Sequence, residues 1–427
     1  MRTPTDHLLQ RIDDASANAD AVAVALLARR DEAALAEAAS LDQTLPLAGD
    51  VLTVKACFDV AGWTTHAGSA VLADSPPATT DAPIVAALRS AGAILFAQSN
   101  MTEFAYGALG LNNTYGTPTT PLRPGEERVS GGSTSGGAVA VALGVADISL
   151  GSDTSGSIRI PAAFCGVAGF KPSQGRYPSD AMIPLAASFD SPGVIATTAA
   201  HLRRIDATLV DRSDRGRPAG SLAQARFLVP TDAITAGATD ASVLHRFEQW
   251  LALLSAAGAT ITETTLPMLT EASLAAREGS VIAVEAFDWH RDLIAAQFDR
   301  YDPRVGPRIQ LGATALASDY VAALRRIRDC RRRYDSALAD ADGILTPTVP
   351  ILPPRIADVQ TTESYLATNT EVLRLTEIAN RLDLPSVTLP GDPADVEPIG
   401  LMVTGRRGAD EALLALAVHI EECLSAG

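Results

Sequence analysis

Two lysines and a cluster of serines are the side chains here whose types and spacing could do chemistry. The 34 basic residues divide into 32 Arg and two Lys, Lys55 and Lys171. Codon bias toward Arg accounts for the skew in general, but not for these two positions. An Arg side chain stays protonated in proteins, whereas a buried Lys can lose its proton and act as a base. Lys55 lies in VLTVKACF, an apolar run in which an ionised ammonium is costly to bury and desolvation favours the neutral amine. It could equally be a buried Lys satisfied by carbonyls, or a strand-end Lys whose head reaches water. Lys171, in GFKPSQG, precedes a proline in a turn and reads as structural.

The hydroxyls stand in residues 129–172, VSGGSTSGGAVAVALGVADISLGSDTSGSIRIPAAFCGVAGFKP. Ser133 sits between Gly131-Gly132 and Ser135-Gly136-Gly137, and the turn Asp153-Thr154-Ser155-Gly156-Ser157 again crowds small residues around a hydroxyl. Such residues permit unusual backbone angles and close approach of a substrate, and successive N–H groups in a turn can converge on an oxyanion. Serine is also common in turns for purely local reasons, and a phosphate-binding loop is the obvious competitor. The chain has no GxSxG, SxxK, HExxH or GxxxxGK[ST] motif, and none of its six His falls between Tyr106 and Gly175. What remains is Ser hydroxyls with a Lys as base.

The elements that must position these groups are those of an α/β protein. Residues 6–40 carry Ala-rich helical spacing and predict one or two helices. DVLTVKACFDV predicts a strand, APIVAALRSAG a helix closed near Gly92, AILFAQ a strand, AVAVALGVA a helix and ISLG a strand. Arg212 to Gly220, within DRSDRGRPAG, reads as a surface loop and the best internal boundary. Beyond it come the strand ARFLVP, the helix SVLHRFEQWLALLSAAGA, and the buried strands GILTPTVPI and LPSVTLPG. RRIRDCRRR, residues 325–333, reads as a solvated helix face paired with acids.

Composition narrows the class. With 427 residues, 47% hydrophobic and 20% charged, the chain is an ordinary globular one with a sizeable core. A net charge of −16 argues against nucleic acid or an anionic membrane as partner. Cys57, Cys165, Cys330 and Cys423 lie far apart without a CxxC pair, which argues against a disulfide or zinc framework. The N-terminus lacks an apolar signal core and no run reaches the ~18 residues of a membrane span, so a cytoplasmic protein is expected.

Taken together, GGSTSGG, the 24-residue step from Ser133 to Ser157, GSDTSGSIRIPAAFCGVAGFKP, VKACFDVAGW, NMTEFAYG, ILTPTVP, LPSVTLPG and GLMVTGRRG closely resemble the amidase signature family of Ser-Ser-Lys hydrolases. The resemblance implies one domain over residues 1–427, with a large mixed twisted sheet flanked by helices on both sides. Its parts would be a helical N-terminal segment (about 5–40), a signature core (about 50–210) and a second half (about 222–427). It also implies roles: Ser157 as nucleophile, Ser133 as the middle serine behind a cis peptide bond, and Lys55 as base. The N–H groups of Thr154, Ser155, Gly156 and Ser157 would form an oxyanion hole, and Asn100, Met101, Phe189 and Asp190 would contact substrate. The expected activity is hydrolysis of a small carboxamide or ureido C–N bond, with no metal or organic cofactor. Homodimerisation or a small accessory subunit is compatible with it. The rival expectations are an inactive binding protein and an amidotransferase subunit. Ala56, Thr134, Ser155 and Val194 depart from the usual family residues at their positions.

Overall fold

The helix–strand alternation closes into one sheet that runs through the whole chain. The computed structural model describes residues 3–210, 220–391 and 397–425. Among these, the strands are β1 (Leu26–Arg29), β2 (Val51–Lys55), β3 (Ile94–Ser99), β4 (Ile148–Asp153), β5 (Ala168–Lys171), β6 (Ser191–Ala196), β7 (Arg226–Pro230), β8 (Thr260–Thr264), β9 (Gly343–Pro347), β10 (Ser386–Pro390) and β11 (Gly400–Gly405). They form one 11-stranded sheet in the order β1-β3-β2-β4-β6-β5-β10-β11-β9-β7-β8. The sheet is mixed: β2 is parallel to β3 and β4, and β7 is parallel to β8 and β9. The stretch from β4 through β6, β5, β10 and β11 to β9 is antiparallel. Because β5 pairs with β10, Lys171 opposite Ser386, the two halves of the chain share this sheet.

Helices cover both faces, and the alternation of side chains along the strands shows it. Leu52 and Val54 belong to the cluster with Leu202, Ile205, Leu413 and Ile420, from helices Ala199–Leu209 and Asp410–Ser425. Val51, one residue away and on the opposite face, packs with Leu8, Ala138 and Val139. Every residue of β2, β4, β6 and β9 is buried, as expected of strands covered on both sides. The edge strand β8, TITET, carries no buried residue, and its polar side chains protect the open edge. The same parity places Lys55 on the Val51 face, toward helix Ser135–Ala142. That helix begins two residues after Ser133 and is buried from Ser135 to Val141, so its small residues let it lie deep against the sheet.

The N-terminal segment departs from expectation. Helices Pro4–Ala17, Ala19–Ala25 and Asp31–Ser40 are interrupted by β1, which pairs antiparallel with β3. Local helical preference in this Ala-rich run yields to the unpaired edge of β3. The expected surface loop from Arg212 to Gly220 lies, save for Gly220, outside the described residues. RRIRDCRRR falls within helix Ala317–Ala337, where Arg326 pairs with Glu278, Arg332 with Asp329 and Arg333 with Glu271. No described helix is long and apolar enough to cross a membrane. All four cysteines are free.

Candidate active site

Lys55, the last residue of β2, is fully buried, which removes the alternative of a strand-end lysine reaching water. Its Nζ lies 2.7 Å from Ser133 Oγ, 2.9 Å from Ser152 Oγ and 3.3 Å from the Ser152 carbonyl. Burial lowers its pKa, and the charges of Cys57, Asp153 and Asp190 offset part of that. The amine is thus biased toward the neutral form, with a hydroxyl in reach to hand it a proton.

Ser133 is brought there by a tightly packed turn. The Gly132–Ser133 peptide is cis, and Gly132 N–H donates to the Ala108 carbonyl at 2.7 Å. A Cβ on Gly132 would stand 2.6 Å from the backbone nitrogen of Gly110, so glycine alone fits. The next residue, Thr134, donates its N–H to the Ser157 carbonyl at 3.2 Å, which sets the two serine turns side by side.

The Ser157 turn is held from below by charge. Asp153, at the end of β4, accepts the N–H of Gly156 at 2.8 Å and that of Ile158 at 3.0 Å. Arg159 grips the same carboxylate at 2.9 and 3.1 Å, and both side chains are wholly buried. Burial alone pushes the Asp153 carboxyl up, but the Arg159 charge and hydrogen bonds outweigh it and hold the group well below the usual carboxylate range. Asn380 donates to the Asp153 carbonyl and carboxylate, each at 2.9 Å. Thr376 Oγ1 donates to the Ser155 carbonyl at 2.7 Å, and Arg381 donates to the Thr154 carbonyl at 3.1 Å and to Ser155 Oγ at 2.9 Å. With these groups tied down, the amides of Thr154, Ser155 and Ser157 donate to no other described residue. The Gly156 amide, expected to join them, is committed to Asp153.

Ser157 is 5% exposed and opens with Thr154 and Ser155 into a cavity of about 260 Å³. Its lining also includes Tyr106, Arg308, Asn369 and Arg381. None of the four residues expected to contact substrate lines this cavity. Asn100 is buried and spends its side-chain NH₂ on the carbonyls of Val24 and Gly116, at 2.9 and 3.0 Å, while its oxygen accepts Met101 N–H at 2.7 Å. Met101 is likewise buried in the core. Phe189 and Asp190 lie one layer behind: Arg381 stacks on the Phe189 ring at 4.3 Å, and Thr154 Oγ1 donates to Asp190 at 2.5 Å. Burial raises the Asp190 carboxyl to about 6 despite the donors around it. Lys171 is also buried, donates to the Pro172 carbonyl at 2.6 Å, and is lowered by burial to about 8. Among the described residues no group of three or more His, Cys, Asp or Glu is placed to hold a metal ion.

A model of the amidase family matches residues 5–414. The chain belongs to the amidase family. It is 34% identical over 409 residues to 2-amino-5-chloromuconic acid deaminase of Comamonas testosteroni, covering 94% of this chain and 87% of that protein. It is 33% identical to a glutamyl-tRNA(Gln) amidotransferase subunit of Halobacterium salinarum, over 88% of this chain and 96% of that one. Among solved structures, a crystal structure of an amidase superposes with a TM-score of 0.88 at 32% identity, covering 99% of this chain and 96% of the other. The mixed sheet flanked by helices is therefore the amidase fold, and the chain is an amidase.

Sequence reasoning missed several residues that build this amidase's site. Ser152, Arg159, Thr376, Asn380 and Arg381 bind the lysine or clamp the turn. One signal for them was available: charged residues inside apolar runs, Arg159 in SIRIPAAF and Arg381 in IANRLDLP. Such residues are rarely buried without a partner.

Proposed function

We propose that this amidase cleaves a small carboxamide or ureido-type C–N bond through an acyl-enzyme on Ser157, with Ser133 and Lys55 completing a triad. The single observation that carries the reading is the fully buried Lys55 amine, its pKa lowered by desolvation, 2.7 Å from Ser133 Oγ. Lys55 takes the Ser133 proton while Ser133 takes the Ser157 proton, and Ser157 Oγ attacks the carbonyl carbon. The developing oxyanion is received by the uncommitted amides of Thr154, Ser155 and Ser157. As the C–N bond breaks, the proton returns through Ser133 to the leaving nitrogen, and ammonia or an amine departs. Water, activated along the same path, then releases the carboxylic or carbamic acid. The name of the Comamonas relative, a deaminase, is in keeping with ammonia as leaving group.

A second reading rests on the identity with the Halobacterium amidotransferase subunit: the same site would act within a complex. Ammonia release from a panel of small amides and ureas, run with Ser157→Ala and Lys55→Ala, separates the two. Turnover by the purified chain that disappears in both variants supports the free hydrolase. Silence across the panel, with a copurifying small subunit, favours the complex.

A further inference from the structure

Charge in the cavity runs against charge in the chain. The protein carries −16, yet the charged residues lining the cavity are Arg277, Arg308, Arg381 and the single acid Glu377. Glu377 is already shared: Arg277 holds one oxygen at 2.8 Å and Arg381 the other at 3.1 Å. Arg308 is left over. Among the described residues no carboxylate lies within ion-pair distance of it, although its neighbour Arg304 is paired with Asp302 at 2.7 Å. Its guanidinium lies over the Tyr106 ring at 4.1 Å and donates Nη1 to the Tyr106 carbonyl at 2.8 Å. The stacking and that hydrogen bond hold the fork in position with donors to spare. Beside it, the Asn369 side-chain oxygen accepts Ala108 N–H at 2.8 Å, which turns the NH₂ of the amide away from that contact and leaves it without a described acceptor. A half-buried, immobilised guanidinium without a counter-ion, next to an unspent amide donor, is an arrangement suited to a planar anion.

We infer that the substrate is a small amide or ureido compound bearing a carboxylate, and that Arg308, assisted by Asn369, binds that carboxylate while Ser157 attacks the C–N carbonyl. This rests on the amidase reading above and deepens it. The cavity, about 260 Å³, accommodates a short amido acid, with acid and amide separated by a few carbons. The anion also supplies the charge that the lining lacks, so neutral amides of the same shape are discriminated against by the cost of leaving Arg308 desolvated and unpaired.

The test compares succinamic and malonamic acids with the neutral amides butanamide and propanamide. The expected result is a kcat/KM for the acids about 10- to 100-fold above that of their neutral partners, the range of one or two hydrogen bonds to a charged group. Arg308→Gln should erase most of that ratio, and Arg308→Lys, which keeps charge without the fork, should retain part of it. Binding is read separately by calorimetry of succinamic acid and of succinate on Ser157→Ala, with and without Arg308→Gln. Saturable binding that weakens at least about 10-fold on loss of Arg308 supports the inference even where turnover is slow. Hydrolysis of the neutral amides at the same or higher efficiency overturns it and leaves the amidase reading standing. Turnover of neither kind, with no acylation of Ser157 by an activated ester, sinks the amidase reading. The anion site then stands or falls on the calorimetry, where absence of binding by both probes overturns it.

Discussion

Arg159→Met removes the cation beneath the Ser157 turn while keeping an unbranched apolar side chain. Arg159 and Asp153 are both wholly buried, and the guanidinium also donates to the Thr376 carbonyl at 2.8 Å and to Asn380 Oδ1 at 2.7 Å. Breaking a buried pair from one side costs about 3–5 kcal/mol, because the partner is left as an uncompensated charge. Two further buried acceptors lose their donor, each worth about 1–3 kcal/mol, so the loss should fall at or above the upper end of the first range. Asp153→Asn/Arg159→Met removes both charges, and should lose clearly less than the sum of the two single variants.

The pH dependence gives the argument a sign. In the native protein the folded pKa of Asp153 is depressed, so its contribution is present above the ordinary value of 3.8 and is lost as pH falls through the folded pKa. In Arg159→Met burial dominates and the folded pKa rises above 3.8. That contribution is then present below 3.8 and lost as pH rises through the raised value, so the variant weakens toward neutrality relative to the parent. Urea unfolding midpoints from pH 4 to 8 for the parent, both single variants and the double variant would measure it. A single variant within about 1 kcal/mol of the parent and parallel to it in pH, or a double variant that loses the full sum, would refute the account of Asp153 and Arg159 as a charge-coupled clamp.

Ser157→Ala should abolish acyl-enzyme formation, and Lys55→Ala should lower kcat by about 10²–10⁴, the range for loss of a positioned base, as followed by ammonia release. Because burial lowers the Lys55 pKa from 10.5, kcat/KM should climb with pH and level off once the amine is neutral; a rate already flat at acidic pH contradicts Lys55 as base. Gly156→Ala would place a Cβ 2.3 Å from Thr376 Oγ1 at a φ of +134°, and should reduce kcat with a loss of about 1–3 kcal/mol in stability, measured by single-turnover acylation and urea unfolding. Glu103 is raised from 4.5 to about 7 by burial, against the Ser69 and Asp302 hydrogen bonds that lower it. Its folded pKa exceeds the unfolded one, so the associated stability is full below 4.5 and lost as pH rises through 7; Glu103→Gln should flatten the melting temperature across that interval.

Lys55 and the serine turns were legible as candidates because their chemistry depends on local composition, while the role proposed for each came from the family resemblance. A lone Lys in an apolar run and hydroxyls packed among glycines are unusual enough to be noticed in one dimension, and Lys55, Ser133 and the Ser157 turn do meet in three. The cavity wall was not legible for the opposite reason. Arg308 and Asn369 stand in ordinary-looking segments more than 150 residues from Ser157, and the sheet pairing of β5 with β10 is part of what carries that half of the chain to the site. The expectation for Asn100 came from the family resemblance; here the residue joins the β3 end to the Val24 and Gly116 carbonyls and does not line the cavity. The edge strand β1 was hidden by its Ala-rich neighbours, since its partner β3 begins 65 residues beyond its end. A turn that must stay rigid around a reacting atom needs bonds to every polar group that does not react. Those bonds come from wherever the fold supplies donors, as Thr376, Asn380 and Arg381 do for the Ser157 turn. The neighbourhood of the proposed nucleophile in sequence therefore points to the chemistry, and the residues that hold its turn and line its cavity are set by how the distant half of the sheet packs against it.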